Sequence, residues 1–226
     1  MIVNPNRDLI IIGHPRSGSY WLQSCMSHFN CREAFNTVNF DILRIEEDRF
    51  FLSKFKDVTL PKDLEDIEIQ SRIDWIKQVT VPKCVKILTF QFQYAERKEY
   101  NQTIFDWVNE QDADICWIKR RDREASLRSI LIADALGVYV GKIPQTSVTI
   151  DLARLPWLID SISYSRDEYI RSKITKPIHD VVYEDLLNDP NFDKSKSKMI
   201  EQHSSDVEIT NYDDVLAYIE KHGLVL

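Results

Sequence analysis

The stretch Leu9–Met26, "LIIIGHPRSGSYWLQSCM", decides the fold. Its first part is a β-branched run that closes on Gly13. From Ser19 the apolar spacing turns helical, with Leu22, Cys25, Met26 and Phe29 on one face. A strand, a glycine-containing turn and a helix in that order aim backbone N–H groups and a helix dipole at one point, where an anion is stabilised. Gly13 and Gly18 have the spacing that opens a phosphate-binding loop. A nucleotide triphosphatase loop continues with Lys and Ser or Thr, whereas this chain has Ser19 and Tyr20.

Outward from that unit, strand and helix signals alternate. Residues 83–90 ("KCVKILTF"), 113–120 ("ADICWIKR") and 178–183 ("IHDVVY") have strand composition. Helical spacing occupies 64–79, 101–111, 122–137 and a long segment over 158–174, and "NYDDVLAYIEKHG" forms a last helix closed by Gly223. Residues 31–61 lack a clear period and are expected to form loops over one end of the domain. The alternation implies an α/β three-layer sandwich with a central parallel sheet, a single domain spanning residues 1–226.

Bulk properties narrow the function. With 43% hydrophobic and 29% charged residues the chain can bury a substantial core. Its 29 basic and 36 acidic side chains leave a net charge of −7, so neither a nucleic-acid backbone nor an anionic membrane is an expected partner. No apolar run reaches membrane-spanning length and the N-terminus lacks the order of a secretory signal, so a cytoplasmic location is expected. Cys25, Cys31, Cys84 and Cys116 stand in apolar context and read as reduced, buried thiols. Cys25, His28 and Cys31 are spaced like zinc ligands, but no second ligand pair follows, and no metal is expected.

Arg16 puts a permanent, bidentate-capable cation inside the turn, beside Ser17, Gly18 and Ser19, which are small enough to let backbone approach an anion. Tyr20 stands where a triphosphatase has its Mg²⁺-binding hydroxyl. On these residues "GHPRSGSYWL" (13–22) resembles the 5′-phosphosulfate loop of sulfotransferases that use 3′-phosphoadenosine 5′-phosphosulfate (PAPS), with Tyr20 a departure from the usual Thr or Ser. The resemblance implies a P-loop-like fold and a cofactor held by Arg16, Ser17, Gly18, Ser19, Tyr20 and Trp21. "WIKRRDREASLRSIL" (117–131) is similar to the family's 3′-phosphate motif, an Arg followed eight residues later by a Ser, here Arg121 and Ser129. "VVYEDLLNDP" (181–190) also looks like the family, implying a place for Tyr183 at the adenine; a packing tyrosine fits the same pattern.

Sulfuryl transfer resembles phosphoryl transfer in that positioning and electrostatics supply most of the rate. Arg16 would neutralise the departing 5′-phosphate. Lys86, an ammonium in an apolar strand, resembles the family lysine that approaches the sulfuryl group; a surface lysine on an edge strand is the alternative. Leu88 stands where cytosolic members carry their histidine base, and the glycine-rich C-terminal segment is missing. The general base is therefore sought at Glu33 in "CREAFN", with His14 second, and the acceptor in the region 31–61. The resemblance implies a hydroxyl acceptor of the carbohydrate type. A nucleotide-binding module without turnover and a small-molecule P-loop kinase are the rival readings.

Overall fold

The computed structural model describes residues 7–29, 36–39, 77, 83–89, 98–137, 146–165, 167–192 and 206–224. Strand β1 (Asp8–Gly13) runs through the middle of a five-stranded sheet ordered β2-β3-β1-β4-β6, with β2 at Asn36–Asn39, β3 at Lys83–Leu88, β4 at Ala113–Lys119 and β6 at Ile178–Val182. Every pairing in it is parallel, and Gly13 stands level with Leu88 on one side and Ile118 on the other. The carboxyl ends of the three central strands therefore finish together.

A parallel sheet covered on both faces favours near-continuous apolar strands, and β1 is apolar and buried from Leu9 to Gly13. Ile10 and Ile12, with Val85, Ile87, Ile115 and Trp117, face α2 (Lys98–Glu110) and α5 (Asp167–Lys173), where they pack on Ile104, Phe105, Trp107, Val108 and Ile170. Leu9 and Ile11, with Cys84, Cys116 and Ile118, face α1 (Ser19–Phe29) and α6 (Tyr183–Asn188), against Trp21, Leu22, Cys25 and Leu186. A third cluster gathers α3 (Arg123–Leu136), α4 (Leu155–Ile162), α7 (Tyr212–Lys221) and a two-stranded sheet of β5 (Ser147–Val148) and β7 (Glu208–Ile209). Each fully buried aliphatic side chain contributes about 1.5–3 kcal/mol, so these clusters dominate the stability. Among the described residues no helix is long and apolar enough to cross a membrane.

Three expectations need correction. Residues 36–39, placed among loops by the lack of a period, form edge strand β2 by pairing with β3. Four residues with asparagine at both ends carry almost no strand signal of their own. The strand expected to reach 90 ends at Leu88. The single helix expected over 158–174 is two: Ser163 takes an extended conformation, φ −71° and ψ 140°, and ends α4. Leu158, Ile159 and Ile162 belong to the third cluster while Ile170 belongs to the sheet, and the sequence between them, at 165–166, holds Ser and Arg rather than apolar residues. Of the helix expected over 64–79 only residue 77 is among those described.

Candidate functional site

The loop between β1 and α1 begins at Gly13, where a Cβ would come within 2.7 Å of the Ile118 side chain and 2.8 Å of Ser17 Oγ. The backbone tightens with Ser17 N–H donating to His14 O at 3.2 Å, and α1 opens with Leu22 N–H donating to Gly18 O at 2.8 Å. Gly18 has φ 87°, and a Cβ there would run into the Tyr183 ring. Arg16 also has a left-handed backbone, φ 64°, which costs a non-glycine residue about 1–2 kcal/mol. Its side chain is fixed by a 2.7 Å bond from Nε to Ser129 Oγ on α3. Among the described residues Ser17 Oγ is buried without a hydrogen-bond partner, an unmet polar atom inside the loop. Ser19 is buried and Tyr20 partly so. Trp21 is not turned toward a ligand: it packs edge-on to Tyr183, 5.3 Å between centroids, and against Phe192.

Lys86 is only 2% exposed and lies on an inner strand, so the edge-strand alternative is set aside. Its Nζ sits 5.0 Å from the centre of the Tyr20 ring, at the start of α1. An ammonium brought to the carboxyl end of the sheet in this way is held beside the loop rather than in water. Leu88, at the same end, is buried.

His14 is also buried, and both ring nitrogens are engaged. Nδ1 is 3.0 Å from Thr89 Oγ1 and Nε2 is 2.9 Å from Asp167 Oδ1 at the start of α5. In the neutral ring one arrangement satisfies everything: Thr89 O–H donates to Nδ1 and Nε2–H donates to the carboxylate. Its ring rests against Tyr164, 4.3 Å between centroids. His14 therefore joins the loop to β3 and α5, and would have to give up one of these bonds to take a proton from an acceptor. Glu33 and the surrounding segment 31–35 lie outside the described residues.

At the end of β4 the run Lys119, Arg120, Arg121 and Arg123, with Tyr164 and Val182, lines a cavity of about 310 Å³. Arg121 and Ser129 do not share a partner as their spacing suggested. Arg121 is 64% exposed and makes a bidentate pair with Asp185 at 2.8 and 3.0 Å, whereas Ser129 is buried on Arg16. Glu184 accepts from Arg121 N–H at 2.9 Å and Asp122 N–H at 3.2 Å, so a carboxylate of the chain itself covers the backbone donors there. The cavity's remaining charge comes from three other residues. Among the described residues Arg120 is ion-paired with Glu184, Nε to Oε1 3.6 Å, too long for a hydrogen bond, Arg123 Nε is buried and makes no hydrogen bond, and Lys119 has no carboxylate partner. Arg123 is held by Nη2 donating to Ile162 O at 2.8 Å and lies 3.7 Å from the Tyr164 ring centre.

Tyr183 closes the loop from outside, over Gly18, with Arg120 5.2 Å from its ring centre. Thr89, Asp167, Tyr164, Arg120 and Arg123 had not been singled out. The basic run from Lys119 to Arg123 was a visible signal for the last two; nothing local marks Thr89, Tyr164 or Asp167. Among the described residues no three His, Cys, Asp or Glu side chains are grouped to hold a metal. No protein-family model matches the chain, and comparison with curated proteins finds no significant match.

Proposed function

We propose that the protein is a P-loop-like sulfotransferase that draws a sulfuryl group from PAPS and transfers it to a hydroxyl acceptor. The observation that carries this reading is the loop itself: Arg16 in a left-handed backbone, bonded to Ser129, with an unmet Ser17 hydroxyl and glycines where a Cβ would collide. Strained backbone with unmet polar atoms persists where a ligand completes it. The loop's place at the carboxyl end of a parallel sheet is where such folds bind ligands. A second anion has a receptor in the cavity of Lys119, Arg120 and Arg123, which takes the part first assigned to Arg121 with Ser129.

When bound, PAPS supplies an activated sulfuryl group whose leaving group is a phosphate. Arg16 and the amides of the loop hold that phosphate and stabilise the charge it gains, and Lys86 lies beside them at the strand end. Trp21 and Tyr183 contribute by packing, fixing Gly18 and the first turn of α1. The carbohydrate nature of the acceptor rests on the sequence resemblance, and Glu33 remains the proposed base.

The test is calorimetry with adenosine 3′,5′-bisphosphate and with ATP, each with and without Mg²⁺. Binding of the bisphosphate that is indifferent to chelator, tighter than ATP-Mg²⁺, is expected. Tighter binding of ATP-Mg²⁺ overturns the reading in favour of a kinase. A module without turnover is the second reading, favoured by the double engagement of His14; it predicts bisphosphate binding with no transfer from labelled PAPS to any of a panel of glycans, alcohols and phenols.

A further inference from the structure

Tyr164, in the short turn that separates α4 from α5, stands between the loop and the basic cavity. Its ring touches the loop through His14, 4.3 Å between centroids, and the cavity through the Arg123 guanidinium at 3.7 Å. Its hydroxyl donates to Arg120 O at 2.7 Å and accepts from Arg120 N–H at 3.2 Å, so it also fixes the backbone from which a cavity cation projects. Its own carbonyl accepts from Asp167 N–H at 3.0 Å, and Asp167 in turn holds His14. Tyr183 also spans the two, over Gly18 and against Arg120, but Tyr164 ties loop to cavity through four separate attachments.

We propose that Tyr164 is a positioning residue that sets the separation of the two anion sites and so selects ligands carrying two anionic groups at a fixed distance. This rests on the assignment of the loop and the cavity as those sites. A ligand held at both points gains from the second only if the spacing is right, because the second contact is then made without a further loss of freedom. Tyr164 would change this gain without touching either anion. The ring keeps His14 and Arg123 at their distances, and the hydroxyl keeps Arg120 in line.

The measurement is the ratio of affinities for adenosine 3′,5′-bisphosphate and adenosine 5′-monophosphate, which differ by one anionic group, on the full chain. In Tyr164→Leu the bisphosphate is expected to weaken about 10-fold or more, with the monophosphate changed by about 2-fold or less, so the ratio collapses. Tyr164→Phe retains the ring and loses the hydroxyl, and should fall between, losing about 2- to 10-fold of the ratio, the worth of a hydrogen bond. If Tyr164→Leu does not fold, Tyr164→Phe alone decides: an unchanged ratio overturns the inference. Equal weakening of both nucleotides shows a general structural role and overturns it too. Wild-type protein that binds neither nucleotide overturns the proposed function and this inference together, whereas a wild-type preference for the bisphosphate that survives in both variants overturns this inference alone.

Discussion

Arg16 combines a strained backbone with the cation proposed to hold an anion, and the two can be separated. Arg16→Gly relieves about 1–2 kcal/mol of left-handed strain and adds about 0.5–1 kcal/mol of chain entropy to lose, so these backbone effects should change folding stability by about 0 to +1.5 kcal/mol. Bisphosphate affinity should fall by about 1.5–3 kcal/mol, the scale of a hydrogen bond from a charged group. Chemical denaturation beside a binding titration reads both; a variant that keeps its affinity would remove Arg16 from the site. Lys86→Met should lower turnover more than bisphosphate affinity, because a cation beside the migrating group acts mainly in the transition state. Equal losses would make Lys86 a binding residue only. The buried thiols offer an independent check of the core. Burial, followed by the neighbouring Cys116, raises Cys84 well above the ordinary thiol value, and burial followed by Asp180 raises Cys116 from 9.0 to about 12. Both stay protonated in the folded chain after the unfolded chain has begun to ionise. Their stabilising effect is therefore complete below about pH 9 and is lost as pH rises from there through the folded values, with a slope of at most about 1.4 kcal/mol per pH unit per thiol. Alkylation of Cys84 and Cys116 at pH 8 should be negligible until denaturant unfolds the protein; prompt modification of either in the folded state would contradict the packing.

At the scale of elements, α3 carries the clearest local signals and the structure follows them. Asp122 caps it, Oδ1 accepting from Ala125 N–H at 2.8 Å, and Gly137 closes it in a left-handed turn with φ 62°. Asp122→Ala should cost about 1 kcal/mol, read as a shift in the denaturation midpoint. Because α3 also carries Ser129 and Arg123, the same variant should weaken the bisphosphate; unaltered binding with lowered stability would mean that the site does not depend on how α3 begins. The helix α3, the strands β1, β3, β4 and β6, and the strand-to-helix turn at Gly13 were legible because each has its own period or its own punctuation. The strand β2 was not, since Asn36–Asn39 becomes a strand only by pairing with β3. The break between α4 and α5 was missed for a different reason: apolar residues in phase on both sides, Leu158 and Ile162 before it and Ile170 and Ile174 after it, suggest one helix, although residues 165–166 are polar and the two sides pack in different cores. That break is where Tyr164 enters the site.

For the molecule as a whole, a ligand that binds only the folded chain must stabilise it. Adenosine 3′,5′-bisphosphate at 100 times its dissociation constant should add about 2.7 kcal/mol, seen as a rise in the melting temperature that chelator leaves unchanged and that Arg16→Gly, at the same ligand concentration, cuts to about 0.3–1.3 kcal/mol. A rise of the same size in Arg16→Gly would place the ligand elsewhere. The sequence by itself determined the alternation of strands and helices, the parallel sheet and the glycine-containing turn that carries Arg16 between β1 and α1, because each depends on residues within one short segment. Tertiary structure alone decided which distant side chains complete the site. It drew Ser129 to Arg16 rather than to Arg121, gave Arg121 to Asp185, closed Gly18 under Tyr183 and enclosed His14 between Thr89 and Asp167. These partners are set by where the carboxyl ends of parallel strands meet, a property of strand order that no local spacing encodes.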